Sequence, residues 1–333
     1  MSLNTTSEFK WHYDVNQFLL FYSNYTLFPL GISLNSIQIA FYLRVRFINT
    51  SMNIYYIILS LNNICAIVMT SIRFIALLDI YDFDENTPIG CKLNQFITRL
   101  IYSACPWLNC LITLDRLFFI IFHNRYNYLK SKMAVFKICS LLYTFLALVN
   151  IPNLLFVKST SLKIINNQTL VINVCLGSLE LSLIRESITQ ILGIYTPVIL
   201  MFSTNLYLIY KVMESKRKFK NSTELKFVFT IIFSNLIFII LVIPFSINLM
   251  IRLISLFDSS IPKRIPGFDT FISLFDTCTR IILCLNFSLV IIVHMISNKL
   301  LRKEFLKMLK ELVSMLSGVK MCLKSSNITS TKN

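Results

Sequence analysis

The sequence predicts an all-α membrane protein: a seven-transmembrane helix bundle with an amphipathic eighth helix. Three observations carry that reading. Seven long apolar segments run roughly over 18–43, 54–79, 91–122, 134–157, 183–212, 226–252 and 268–296, each able to span about 30 Å at 1.5 Å per residue. Only 14% of the 333 residues are charged, 55% are hydrophobic and the mean hydropathy is +0.67, whereas a soluble domain carries about 25% charged residues. The formal charge of +16 is unevenly spread. In a soluble chain that excess points to nucleic acid. Beside membrane spans it marks cytoplasmic loops and contact with anionic membrane lipids, so no nucleic-acid partner is expected.

Taken in order, residues 1–17 are polar and read as an N-terminal tail. They lack the short apolar stretch and small-residue cleavage site of a removable signal. The first span is followed by Arg44 and Arg46, and the second runs into an acidic loop with Asp79, Asp82, Asp84 and Glu85. That loop is either a solvated connection or an attractor for basic peptides. The third span opens at Cys91 and closes on Asp115-Arg116, and the fourth leads into a loop that contains Cys175. A basic link, Lys211 to Lys226, joins the fifth span to the sixth. After the seventh, Leu300, Leu301, Phe305, Met308, Leu309, Leu312 and Leu316 recur near helical spacing, with Arg302, Lys303, Lys307 and Lys310 between them. This pattern fits a helix lying on the inner leaflet. The chain thus divides into a tail (1–17), a membrane domain (18–297) and an amphipathic helix with a cytoplasmic tail (298–333). Continuous apolar runs exclude a β-barrel.

Orientation follows from the basic residues. An odd number of spans places the termini on opposite sides. The loops after the first, third and fifth spans, with the tail from Lys299 to Lys332, hold 21 of the 32 basic residues, against eight on the other side. The positive-inside rule then puts the N-terminus outside and the tail in the cytoplasm. Asn4, Asn24 and Asn167 are glycan acceptors by pattern that fall outside in this topology. Cys322 in the tail is a candidate for palmitoylation or an unmodified cysteine. No Cys-x-x-Cys or Cys/His cluster occurs among the nine cysteines, so neither zinc nor another cofactor is expected.

Several spans carry motifs in register. Leu114-Asp115-Arg116-Leu117 lies 25 residues past Cys91 when counted to Arg116, about 37 Å of helix. Gly31 and Asn35 mark the first span, Leu59-Ser60-Leu61-Asn62-Asn63 the second, Pro197 the fifth, Phe238 and Pro244 the sixth, and Leu285-Asn286 the seventh. Together, over about residues 25–310, they resemble the rhodopsin-like (class A) G-protein-coupled receptors, in particular a divergent invertebrate peptide receptor of the FMRFamide-receptor kind. The resemblance implies a Cys91–Cys175 disulfide that ties the second outer loop over the bundle. It implies that Arg116, beside Asp115, meets the heterotrimeric G protein, and that Glu224 pairs with Arg116 in the resting state. It also implies arrestin as a partner for the hydroxyl-rich stretch Ser325 to Thr331.

The departures from the family pattern are Asn63 for an aspartate that binds sodium, Val242 for a tryptophan, and Val290, Ile291 and His294 for Asn, Pro and Tyr. Thr98 stands where aminergic receptors hold an aspartate, and Cys284 where opsins hold a lysine. Both ligand classes are therefore disfavoured.

Three arginines lie within spans: Arg73, Arg99 and Arg280. Ionisable groups in a membrane are candidate functional residues, and a guanidinium suits a carboxylate. An anionic group of an extracellular ligand is one reading. Internal pairing is the other, with Asp276 four residues before Arg280, or with Asp79 or Glu186 across helices. Glu186 and Gln190, ahead of Pro197, are further candidates for the cavity. The expected function is a plasma-membrane receptor for an extracellular ligand, a neuropeptide or else a small external molecule. A transporter lacks support, since no internal repeat or mid-membrane acid pair occurs. No metalloprotease or Ser-hydrolase motif points to an enzyme.

Overall fold

The computed structural model describes residues 3–44, 51–78, 80–81, 88–122, 131–156, 158–161, 164–165, 168–169, 173–176, 178–215, 223–258, 260, 264–299, 301–311 and 313–314. Every predicted apolar segment lies on one long helix. The first, α1, comprises Leu3–Tyr22, a π turn at Ser23–Leu27, and Phe28–Tyr42. It is followed by α2 (Ser51–Leu77), α3 (Pro88–Ile121) and α4 (Lys132–Phe156). The fifth, α5, comprises Leu179–Ile188, a π turn at Thr189–Tyr195, and Thr196–Ser215; α6 (Thr223–Phe257) and α7 (Phe268–Ser297) complete the bundle. Among the described residues, six helical stretches are individually long and apolar enough to cross a membrane: Met52–Leu77, Ile89–Ile121, Lys132–Leu155, Leu179–Glu214, Val228–Phe257 and Phe268–Ser297. The remaining helix of the bundle, α1, carries the first predicted apolar segment.

The N-terminal tail is helical where it is described. Residues 3–22 are helical and continue into the first span. No Gly or Pro lies between Leu3 and Phe28, so the chain meets no helix breaker there. This extension docks on α7: Asn16 Nδ2 donates to Ser273 Oγ at 3.3 Å, and the His12 and Phe271 rings lie 6.5 Å apart.

Between α4 and α5 the chain forms two short antiparallel pairs, β1 (Lys158–Ser161) with β4 (Asn173–Leu176), and β2 (Ile164–Ile165) with β3 (Gln168–Thr169). Cys175 stands opposite Ser159 in the β1–β4 register. Both outer strands pack against α3.

Leu20, Phe28, Phe41, Leu59, Ile67, Phe74, Leu108 and Met201 are buried in the core. Leu141, Ile240, Ile89 and Ile199 point outward and are exposed. Helices apolar on every side are the form a bilayer requires. Pro106, Pro152 and Pro244 sit inside α3, α4 and α6 without ending them, as packed spans tolerate.

Beyond α7, residues 301–311 form α8. Its apolar side is held: Leu301 is buried, and Phe305 and Met308 pack against the core. Arg44 Nη2 reaches Glu311 Oε2 at 2.6 Å, fixing α8 to the end of α1.

Candidate functional site: an arginine cavity among five helices

A cavity opens toward the end of the bundle that holds Leu3 and the β pairs. Its volume is about 400 Å3. α2, α3, α5, α6 and α7 each contribute an arginine to its wall: Arg73, Arg99, Arg185, Arg252 and Arg280. Thr98, Tyr102 and Phe245 complete part of the lining.

Two carboxylates organise the five cations. Asp276 is buried on α7, where the spacing of four puts it beside Arg280: Arg280 Nε donates to Asp276 Oδ2 at 2.9 Å. Arg73 Nη2 from α2 reaches the same oxygen at 3.1 Å. On α6, Asn248 and Arg252 are also one turn apart, and both address Oδ1, at 2.7 and 3.4 Å. Asp276 therefore joins α2, α6 and α7. The Arg280 guanidinium also lies 5.5 Å from the centre of the Phe245 ring, within cation–π range.

Glu186 on α5 serves the other side. Arg99 Nη2 donates to its Oε1 at 2.6 Å and Arg185 Nη2 lies 3.5 Å from the same atom. Arg99 Nη1 also donates to Thr189 Oγ1 at 2.8 Å. The structure thus brings Arg73, Arg99, Arg280, Asp276, Thr98 and Glu186 to one region, and the internal pairs foreseen for Asp276 and Glu186 are formed. Gln190 is placed differently. It is buried but is not part of the cavity lining.

Arg185, Arg252 and Asn248 were missed. The first two lie near span ends and read as loop cations by sequence. The available signal was spacing: Asn248 and Arg252 share a helix face, and Arg185 adjoins Glu186.

At the opposite end of the bundle, Arg116 is folded back on its neighbour. Its Nη2 and Nε lie 2.5 and 3.0 Å from Asp115 Oδ2, and both side chains are buried. Glu224 stands in the first turn of α6, but its side chain lies outside the described residues, so its pairing with Arg116 does too. In the middle of the bundle, Asn63 Nδ2 donates to Asn35 Oδ1 at 3.4 Å and to Phe287 O at 3.2 Å. His294 lies 3.0 Å from the Tyr42 hydroxyl and edge-on to Tyr56.

Cys91, at the start of α3, is buried and disulfide-bonded. Cys65, Cys105, Cys110, Cys139, Cys278 and Cys284 are free thiols. Asn24 was expected as an outer glycan acceptor. It sits inside α1 rather than in a loop, donating to Leu20 O at 3.2 Å and accepting from Ser71 Oγ at 2.6 Å. An amide packed between helices does not suit a glycan, which needs an exposed surface loop. The Asn4 side chain, Asn167 and Cys322 lie outside the described residues.

The seven-helix bundle thus holds a polar cavity at one end and a buried Asp-Arg pair at the other. The family model for the 7 transmembrane receptor (rhodopsin family) matches residues 34–289, and the chain belongs to that family. No curated protein matches it significantly.

Proposed function

We propose that this receptor sits in the plasma membrane with its amino terminus outside, binds the anionic group of an extracellular neuropeptide in the arginine cavity, and activates a heterotrimeric G protein. The observation that carries this reading is the charge of the cavity. Among the described residues it gathers five arginines around two carboxylates. Paired arginine forks recognise carboxylates through two parallel hydrogen bonds. In a low-dielectric bundle such contacts are strong and selective.

The same reading assigns the remaining parts. Cys91 pairs with Cys175, whose strand packs on α3, and holds the β1–β4 pair at the rim of the cavity. Asp115 and Arg116 form the G-protein end, with Glu224 as the resting partner of Arg116. The basic link, α8 and the tail face the cytoplasm, where anionic lipid and arrestin meet them. Asn4 and Asn167 are the outer glycan acceptors, and Cys322 the lipidated cysteine.

The test is G-protein activation in cells challenged with a panel of neuropeptides, comparing the native chain with Arg116→Ala and Arg280→Gln. The expected result is a peptide response abolished by Arg116→Ala and shifted at least tenfold to higher concentration by Arg280→Gln. A response to a peptide that both variants leave intact, with surface expression equal, overturns the assignment.

A further inference from the structure

We propose that the cavity contains two anion positions and therefore selects a ligand bearing two negatively charged groups. This deepens the receptor reading above and rests on it. One position lies between Arg99 and Arg185 on the Glu186 side. The other lies among Arg73, Arg252 and Arg280 on the Asp276 side.

The argument is one of acceptor supply. A carboxylate offers about four lone-pair sites, while each guanidinium carries five N–H donors. Asp276 is filled: its two oxygens already take Arg73, Arg280, Asn248 and Arg252. It neutralises one of three cations and leaves a surplus of two. On the other side, one oxygen of Glu186 is shared by Arg99 and Arg185, which leaves a surplus of one. Among the described residues, the buried Nε–H groups of Arg73, Arg99 and Arg185 find no hydrogen-bond partner. Buried donors left unpaired are costly, and charged ones more so.

Among the described residues the surplus is divided between the two sides, and that calls for one anionic group on each. A single anion seated beside Glu186 leaves the Asp276 side uncompensated, and the reverse also holds. A ligand with two anionic groups places one on each side, which neutralises the surplus beside Glu186 and halves that beside Asp276. On the Asp276 side the contacts that yield are those of Arg73 and Arg252. They are the longer ones, at 3.1 and 3.4 Å, and their side chains are 38% exposed, whereas Arg280 is 8% exposed at 2.9 Å. The shared chemistry is a dianion, supplied either by a small dicarboxylate or by a peptide that ends in an acidic residue and a free carboxyl group.

The experiment follows thermal unfolding of the purified full-length receptor in nanodiscs. The probes are succinate, glutarate and adipate, their monomethyl esters, and an acetylated tripeptide ending in aspartate beside its C-terminal amide, all at matched ionic strength. At saturation, one of the dicarboxylates or the tripeptide acid raises the unfolding midpoint by roughly 3 °C or more, and the matching monoester or amide by less than half as much. A larger response to the tripeptide acid identifies the peptide source, and a larger one to a dicarboxylate the small-molecule source. Arg185→Gln and Arg252→Gln, each measured against its own unliganded midpoint, reduce the dianion response to the monoanion level. Equal shifts from mono- and dianion overturn the two-position proposal while leaving an anion-binding receptor in place. No shift from any dianion, or an equal one from sodium sulfate, overturns it as well. If such a receptor still drives a G protein on peptide addition, the receptor reading survives and the anion assignment falls.

Discussion

At Gly31, α1 comes so close to α7 that a side chain has no room: a Cβ there would lie 2.4 Å from Ser288 Oγ and 2.8 Å from Ile67 Cδ1. Gly31→Ala is expected to destabilise the bundle by about 1–3 kcal/mol. Because the tighter clash is with a hydroxyl, Ser288→Ala in the same chain recovers most of the loss. Thermal unfolding of both single variants and the double one closes the cycle, and purely additive losses would count against the contact. Asp276 sets a second residue-scale expectation. Its Asn variant keeps the shape but leaves Arg280 buried without a counter-charge, so it costs about 3–5 kcal/mol, and Arg280→Gln added to it restores part of that. Recovery is read from the unfolding midpoint, and its absence removes the pair as the cause. Much of this was legible in the sequence. Arg73, Arg99 and Arg280 stand out because an arginine interrupts an otherwise apolar run. Arg185 and Arg252 did not, because a cation near a span end has the same local pattern whether it faces lipid headgroups or a cavity. The role of Asp276 as a shared acceptor for three helices depends on tertiary distances that no local pattern holds.

Apolar length made every span readable, and the amphipathic spacing after Ser297 made α8 readable too, since both are repeats along a single helix. The π turns were not readable. They shift hydrogen bonding from i−4 to i−5 over five residues in α1 and seven in α5, and composition carries no mark of that shift. Their consequence is visible in α5, where a carbonyl released from the regular ladder finds another donor: Trp107 Nε1 from α3 bonds Leu192 O at 2.9 Å. The turn also begins at Thr189, the residue that accepts from Arg99. Replacing Trp107 with Phe retains the ring but withdraws the donor, and is expected to destabilise by about 1–3 kcal/mol. Thermal unfolding checks this, and a midpoint unchanged within error would mean that Leu192 O has another partner. The link from α1 to α8 behaves differently. Arg44 and Glu311 are 24% and 44% exposed, so Arg44→Ala is expected to cost under about 1 kcal/mol. A larger loss in the same assay would show that this pair, rather than the packing of Leu301 and Phe305, holds α8 in place.

For the molecule as a whole, the separation of two charged ends decides what each end meets. The cavity end gathers cations inside the bundle, organised by Asp276 and Glu186. By sequence, the other end carries its cations on links and near helix ends, the pattern of segments kept on the cytoplasmic side. Of the 32 basic residues, 21 belong to the links and tail at the second end and eight to the loops and span ends at the first. Translocating that many cations is the less favourable outcome, so the cavity end is expected to face outside. A tag at the N-terminus should then be labelled by antibody on intact cells, and one at the C-terminus only after permeabilisation. The margin is wide enough to forecast a harder case. Changing Lys216, Arg217, Lys218 and Lys220 to Gln still leaves 17 basic residues against eight, so the labelling pattern should persist. If those four changes alone inverted it, orientation would depend on the short link between α5 and α6 rather than on the summed bias. If the native chain itself were labelled at the C-terminus on intact cells, the arginine cavity would face the cytoplasm, and its ligand would have to be sought there.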